Sequence, residues 1–156
     1  MDLLNNNMNQ KIISIVGLLA IGVAGRLLPH LPNATPVVGI IFAAQKYVGR
    51  VAAYAIPLLV MLISDFIIGW YDWRVLLSVY ASFGLIVVIS TVSRKYSSIG
   101  ASVALAASGS VLFFLVTNFV VWAASNWYPH TLAGLMYCYT LSLPFLWSML
   151  LGDVIY

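Results

Sequence analysis

Asp65 is the residue that demands most of its surroundings. It lies in the last turns of an apolar run from about Val51 to Ile68. A carboxylate within a membrane-crossing helix costs about 2.5–3.5 kcal/mol on insertion scales unless a partner or water compensates it. Arg26, near the end of the first apolar run, is the candidate partner if those two helix ends meet. Two uses fit such a pair: a salt bridge that holds helices together, or a charged contact for a ligand or ion.

Aromatic residues supply a second chemistry. Trp70, Tyr71, Trp73, Trp127 and Tyr128 stand in two short links beside Asp72 and His130, and Asn33 stands in a third. Aromatic planes stack a flat organic molecule while a few polar groups orient it; the same residues also form the anchoring belt of ordinary membrane proteins. Asn118 and Trp122 are four positions apart, so they share one helix face. The binding candidates are therefore Arg26, Asn33, Asp65, Trp70, Tyr71, Asn118, Trp122, Tyr128 and His130.

Catalytic patterns are weaker. His30 and His130 with Asp72 or Asp65 have the right atoms for a metal, but no local ligand spacing supports one. Ser108 and Ser110 are better explained as small residues at a helix contact than as nucleophiles. There is no phosphate-binding G-x-x-x-x-G-K-[ST] loop, so any ATP hydrolysis is expected from a partner. Neither catalysis nor a cofactor of the chain's own is expected.

The elements that must position these groups are hydrophobic helices. Of the 156 residues, 63% are hydrophobic and 7% charged. Soluble domains carry about 25% charged residues, so this chain cannot clothe a water-facing surface. Apolar runs long enough for helices are expected over about Ile12–Leu28, Val37–Tyr47, Val51–Ile68, Val75–Val92, Gly100–Ala124 and Leu132–Ile155. The second is short for a crossing and is read as tilted, extended into its flanks or re-entrant; Pro144 is expected to bend the sixth. The fold class is all-α: one transmembrane domain over residues 11–156 after a short polar N-terminus, residues 1–10.

Lys11, Lys46, Arg50, Arg94 and Lys95 fall on one side of this topology and Arg26 and Arg74 on the other, which predicts a cytoplasmic N-terminus. The aromatic links then share the outer face. Scattered basic residues suit membrane topology rather than nucleic acid. On the first helix Gly17, Ala20 and Ala24, with Gly25, form a small-residue surface. Such a surface lets another helix approach, within the chain or from a docking partner.

An ordered set of motifs adds a resemblance. Pro32-Asn33-Ala34-Thr35-Pro36, Ser64-Asp65-Phe66, Thr117-Asn118-Phe119 with Trp122, Tyr128-Pro129-His130-Thr131, Gly134-Leu135-Met136-Tyr137-Cys138, Leu143-Pro144-Phe145 and Gly152-Asp153 resemble a family of small bacterial membrane proteins. That family is regarded as related to the substrate-binding S components of energy-coupling factor (ECF) vitamin transporters. The resemblance implies a six-helix S-component-like bundle in the bacterial cytoplasmic (inner) membrane, with an outward pocket for a vitamin or related micronutrient. It also implies a first helix that docks a transmembrane coupling subunit served by separate ATPases. Some relatives of this fold bind cobalamin, and a cysteine can ligate cobalt, which adds Cys138 and its neighbour Tyr137 to the ligand candidates; packing is the commoner role of a lone cysteine. Capture of a small organic solute is thus the expected function. The alternatives are an accessory subunit and an intramembrane metal-dependent enzyme.

Overall fold

The computed structural model describes residues 2–28, 36–93 and 99–155. It is all-helical: α1 Asp2–Leu27, α2 Val37–Tyr47, α3 Arg50–Ile68, α4 Trp73–Ser93, α5 Ile99–Ala124 and α6 Leu132–Ile155. Five of these are long and apolar enough to cross a membrane, and α2 is the exception. The chain therefore has the build of a multi-pass membrane protein. His30, Asn33, Arg94 and Lys95 lie outside the described residues.

Helix α1 begins well before the apolar run and takes in the polar N-terminal stretch. Extending an existing helix adds one hydrogen bond per residue without a new nucleation cost, so Asn-rich sequence can continue it. At the other ends, side chains cap the turns. Asp72 Oδ1 accepts the Arg74 backbone N–H at 2.8 Å ahead of α4, and Thr131 Oγ1 accepts that of Gly134 at 3.1 Å ahead of α6. Gly49 and Gly69 turn the chain at either end of α3 with φ of 134° and 113°. That region of backbone space favours glycine, which has no Cβ to clash.

Eleven residues make up α2. At about 1.5 Å of rise each they extend only about 16 Å, roughly half a hydrocarbon core. This helix packs against α1, α3, α4 and α5 and forms the centre of the bundle. Val37, Val38, Ile40, Ile41, Phe42 and Ala44 are all buried, joined by Ile56, Val60 and Met61 of α3 and Phe83, Ile86 and Val87 of α4. A helix apolar on every side belongs inside, and this one is. Gln45 is buried with them, and its Oε1 has no hydrogen-bond partner among the described residues.

Missing side chains set how closely α1 approaches this core. A Cβ at Gly22 would lie 2.5 Å from Val60 Cγ2 and 2.8 Å from Ile40 Cδ1, and one at Gly25 would meet the Pro36 ring at 2.6 Å. The small-residue surface is thus split. Gly22 and Gly25 serve packing inside the chain, whereas Ala20 and Ala24 are exposed and a Cβ at Gly17 would meet nothing within 4 Å. At the far side α6 packs mainly on α5.

Candidate functional site

The ends of α1, α3 and α4 meet around Asp65. Arg26 Nη2 lies 2.6 Å from Asp65 Oδ1, and Arg26 Nε donates to Ser64 Oγ at 2.6 Å. Tyr80 donates its hydroxyl to the other carboxylate oxygen, Oδ2, at 3.3 Å. Asp65 is 1% exposed, so it depends on these partners rather than on water. The pairing expected of Arg26 and Asp65 is present, and it fastens α1 to α3 as an ion pair extended by two hydroxyls. Next to it, in the turn before α4, partial burial pushes the Tyr71 phenol up to about 12; the negative Asp65 acts in the same direction and Arg26 against it. Tyr71 therefore stays a neutral hydroxyl throughout the physiological range.

A second cluster joins α5 to α6. Asn118 donates through Nδ2 to the Phe114 carbonyl at 2.9 Å, one turn back on its own helix. Trp122 donates through Nε1 to the Pro129 carbonyl at 2.9 Å, and its ring meets His130 edge-on with centroids 5.7 Å apart. His130 Nε2 is 3.1 Å from the Ser125 carbonyl. Cys138 is buried, its Sγ 3.6 Å from the Asn118 carbonyl oxygen, and Tyr139 donates to Leu115 O at 2.7 Å. Tyr128 and Tyr137 contact edge-on at 6.0 Å. Burial, with Cys138 and Tyr137 beside it, raises the Tyr128 phenol above its ordinary value. Gly134 is indispensable here, because a Cβ on it would run into the Pro129 carbonyl.

Between the two clusters lies a cleft of about 540 Å³. One wall is Tyr71, Asp72 and Val75, from the α3–α4 turn and the start of α4. The other is Val121 and Ala124 at the end of α5, with Ser125, Asn126 and Trp127 from the following link. Its surface is mostly apolar, and its lining includes an amide, a hydroxyl, a phenol and an indole. The Asp72 charge is already matched by Arg74, whose Nη2 lies 3.1 Å from Oδ2. That hydrogen bond, foremost, holds the Asp72 carboxyl below the usual range.

Of the sequence candidates, Tyr71 lines the cleft. Arg26 and Asp65 stand behind it, and Asn118, Trp122, Tyr128, His130, Tyr137 and Cys138 belong to the α5–α6 cluster. Residue order alone places Asp65 and the pair Asn118 and Trp122 under the same links. In the structure they have different neighbours, because α3 packs on α1, α2 and α4 while α5 packs on α4, α6 and α2. Trp70 is exposed and makes no part of the cleft wall. Sequence does not single out Ser64 and Tyr80 as partners of Asp65, nor Val75, Val121, Ala124, Ser125 and Asn126 as lining. Ser64 is signalled only by adjacency to Asp65, and the apolar lining residues carry no signal distinct from a lipid-facing surface. Among the described residues no group of three or more His, Cys, Asp or Glu is placed to hold a metal.

Residues 6–156 match the family described as a family of unknown function, DUF6580, and the chain belongs to it. Neither a curated protein nor a solved structure matches the chain.

Proposed function

We propose that this member of DUF6580 captures a small organic solute, a vitamin or related micronutrient, in the cleft between the α3–α4 turn and the α5–α6 link, as the binding subunit of an uptake system. The observation that carries the reading is the cleft itself. Its volume is about 540 Å³, and it combines apolar walls with a few polar groups. Small-molecule sites are built in that way and span roughly 300–1000 Å³. Tyr71 and Trp127 bring aromatic rings to the lining from the α3–α4 turn and the α5–α6 link, and Ser125 and Asn126 bring hydrogen-bonding groups. The resemblance to ECF S components supports the same role. It adds a bacterial inner-membrane location with the N-terminus inside, an outward cleft, and a transmembrane coupling subunit with ATPases that docks on Gly17, Ala20 and Ala24. Cys138, buried and turned to the Asn118 carbonyl, does not support cobalt ligation.

The test is native mass spectrometry of the gently purified protein, followed by affinity measurements with the co-purified molecule. Tyr71→Ala and Trp127→Ala are each expected to weaken binding about tenfold, the loss of one aromatic contact of about 1.5 kcal/mol. Parent-like affinity in both variants would sink the cleft as the site. The exposed Ala20 and Ala24, with open space over Gly17 on the same helix, favour one second reading, an accessory subunit. Recovery of a stoichiometric protein partner with no organic molecule would select it.

A further inference from the structure

We propose that the end of the bundle opposite the cleft holds the phosphate headgroup of an anionic phospholipid, in a pocket between α1 and the end of α2. The pocket, about 370 Å³, is lined by Gln10, Lys11, Ile13, Ser14 and Tyr47. Ser14 precedes Arg26 by twelve residues of one continuous helix. That spacing is about 18 Å of helical rise, which separates this pocket from the Asp65 cluster and the cleft. The pocket exists because α2 stops after eleven residues while α1 continues past it.

The lining is matched to an anion that also carries hydroxyls. Lys11 brings an ammonium with three donors, Gln10 an amide and Tyr47 a phenol. Ser14 gives its own proton to the Gln10 carbonyl at 2.9 Å, so its oxygen is left as an acceptor for a headgroup hydroxyl. A second cation is close: Lys46 Nζ sits 5.5 Å from the centre of the Tyr47 ring. Arg50 is exposed at the start of α3, just beyond. Among the described residues no acidic side chain lines the pocket, and Asp65 and Asp72 are both engaged at the other end. Basic pockets between transmembrane helices attract anionic lipid headgroups for this reason.

The apolar side of the pocket selects a lipid over a free anion. Ile13 forms part of the lining and is 70% exposed, and Ile21, seven residues after Ser14 and so on the same face of α1, is 53% exposed. They offer the hydrocarbon-facing surface on which an acyl chain lies once its phosphate is seated. Phosphatidylglycerol has the required parts: one negative phosphate diester, glycerol hydroxyls for Ser14, and chains for α1.

The test is a titration of the delipidated, detergent-solubilised full chain with phosphatidylglycerol and with phosphatidylcholine, read by native mass spectrometry. Phosphatidylglycerol is expected to bind at least about fivefold more tightly, and Lys11→Gln to weaken it about fivefold, the contribution of one basic residue near anionic lipid. Lys11→Arg should retain binding, and Arg74→Gln, at the opposite end, should leave it unchanged. Equal binding of the two lipids, or parent-like affinity in Lys11→Gln, overturns the proposal. Displacement of phosphatidylglycerol by millimolar inorganic phosphate also overturns it, since the site would then take the free anion. Solute capture does not enter these readouts, so the two proposals stand or fall separately.

Discussion

Replacement of Arg26 by Met tests how the bundle tolerates Asp65. The substitution keeps a long flexible stem and removes the charge. Asp65 would lose the 2.6 Å ion pair, and Ser64 the donor at 2.6 Å, leaving Tyr80 at 3.3 Å as the remaining side-chain donor to the carboxylate among the described residues. Opposite charges about 4 Å apart attract by about 4 kcal/mol at an effective dielectric of about 20. Measured losses on breaking a buried pair from one side are about 3–5 kcal/mol, which agrees. Arg26→Met is therefore expected to destabilise the protein by about 3–5 kcal/mol. The double variant Arg26→Met with Asp65→Leu should recover most of that, because removing both charges leaves nothing buried and unpaired. The assay is reversible denaturant unfolding in detergent micelles, followed by tryptophan fluorescence, on the parent, both single variants and the double. A single variant within about 1 kcal/mol of the parent, or a double no more stable than Arg26→Met, would refute the reasoning, since neither fits a buried uncompensated charge.

Two glycines on α1 should respond oppositely to alanine. Gly22→Ala forces a methyl against Val60 and Ile40 and is expected to cost about 1–3 kcal/mol. Gly17→Ala meets open space and should be neutral or gain up to about 1 kcal/mol from helix propensity; the same unfolding assay separates them. Gln45→Met removes the buried amide whose Oε1 has no partner among the described residues. It nearly keeps the volume and is expected to stabilise by about 1 kcal/mol; a loss of stability would show that the amide is satisfied in the membrane. The folded Tyr71 phenol, raised to about 12 from 10.0, binds its proton more tightly than the unfolded one. Its contribution is thus fully present below the unfolded value and lost as pH rises through the folded one. Tyr71→Phe should flatten the alkaline fall in stability across that window, and an unchanged pH profile would contradict the assigned burial.

How much was legible in the sequence divides along a physical line. The number of helices and nearly all their bounds can be read from residue order, because apolar length against bilayer thickness is a one-dimensional property. The Arg26–Asp65 pair is also legible, since a buried carboxylate needs a cation and Arg26 lies near the end of another apolar run. Helix rotation is not. Lipid and protein interior are both apolar, so a membrane helix shows no polar face to reveal which side turns inward. Sequence therefore leaves α2 open as a tilted or re-entrant span, whereas tertiary packing makes it the buried centre. The same ambiguity hides the division between Gly22, packed on Val60, and Gly17, facing open space. It also groups Asp65 with Asn118 and Trp122, which different helix neighbours keep in separate clusters. Among the belt aromatics, Trp70 and Trp73 are exposed outside the cleft while Tyr71 and Trp127 line it. Composition puts all four at an interface; only the meeting of the α3–α4 turn with the α5–α6 link decides which pair faces a cavity.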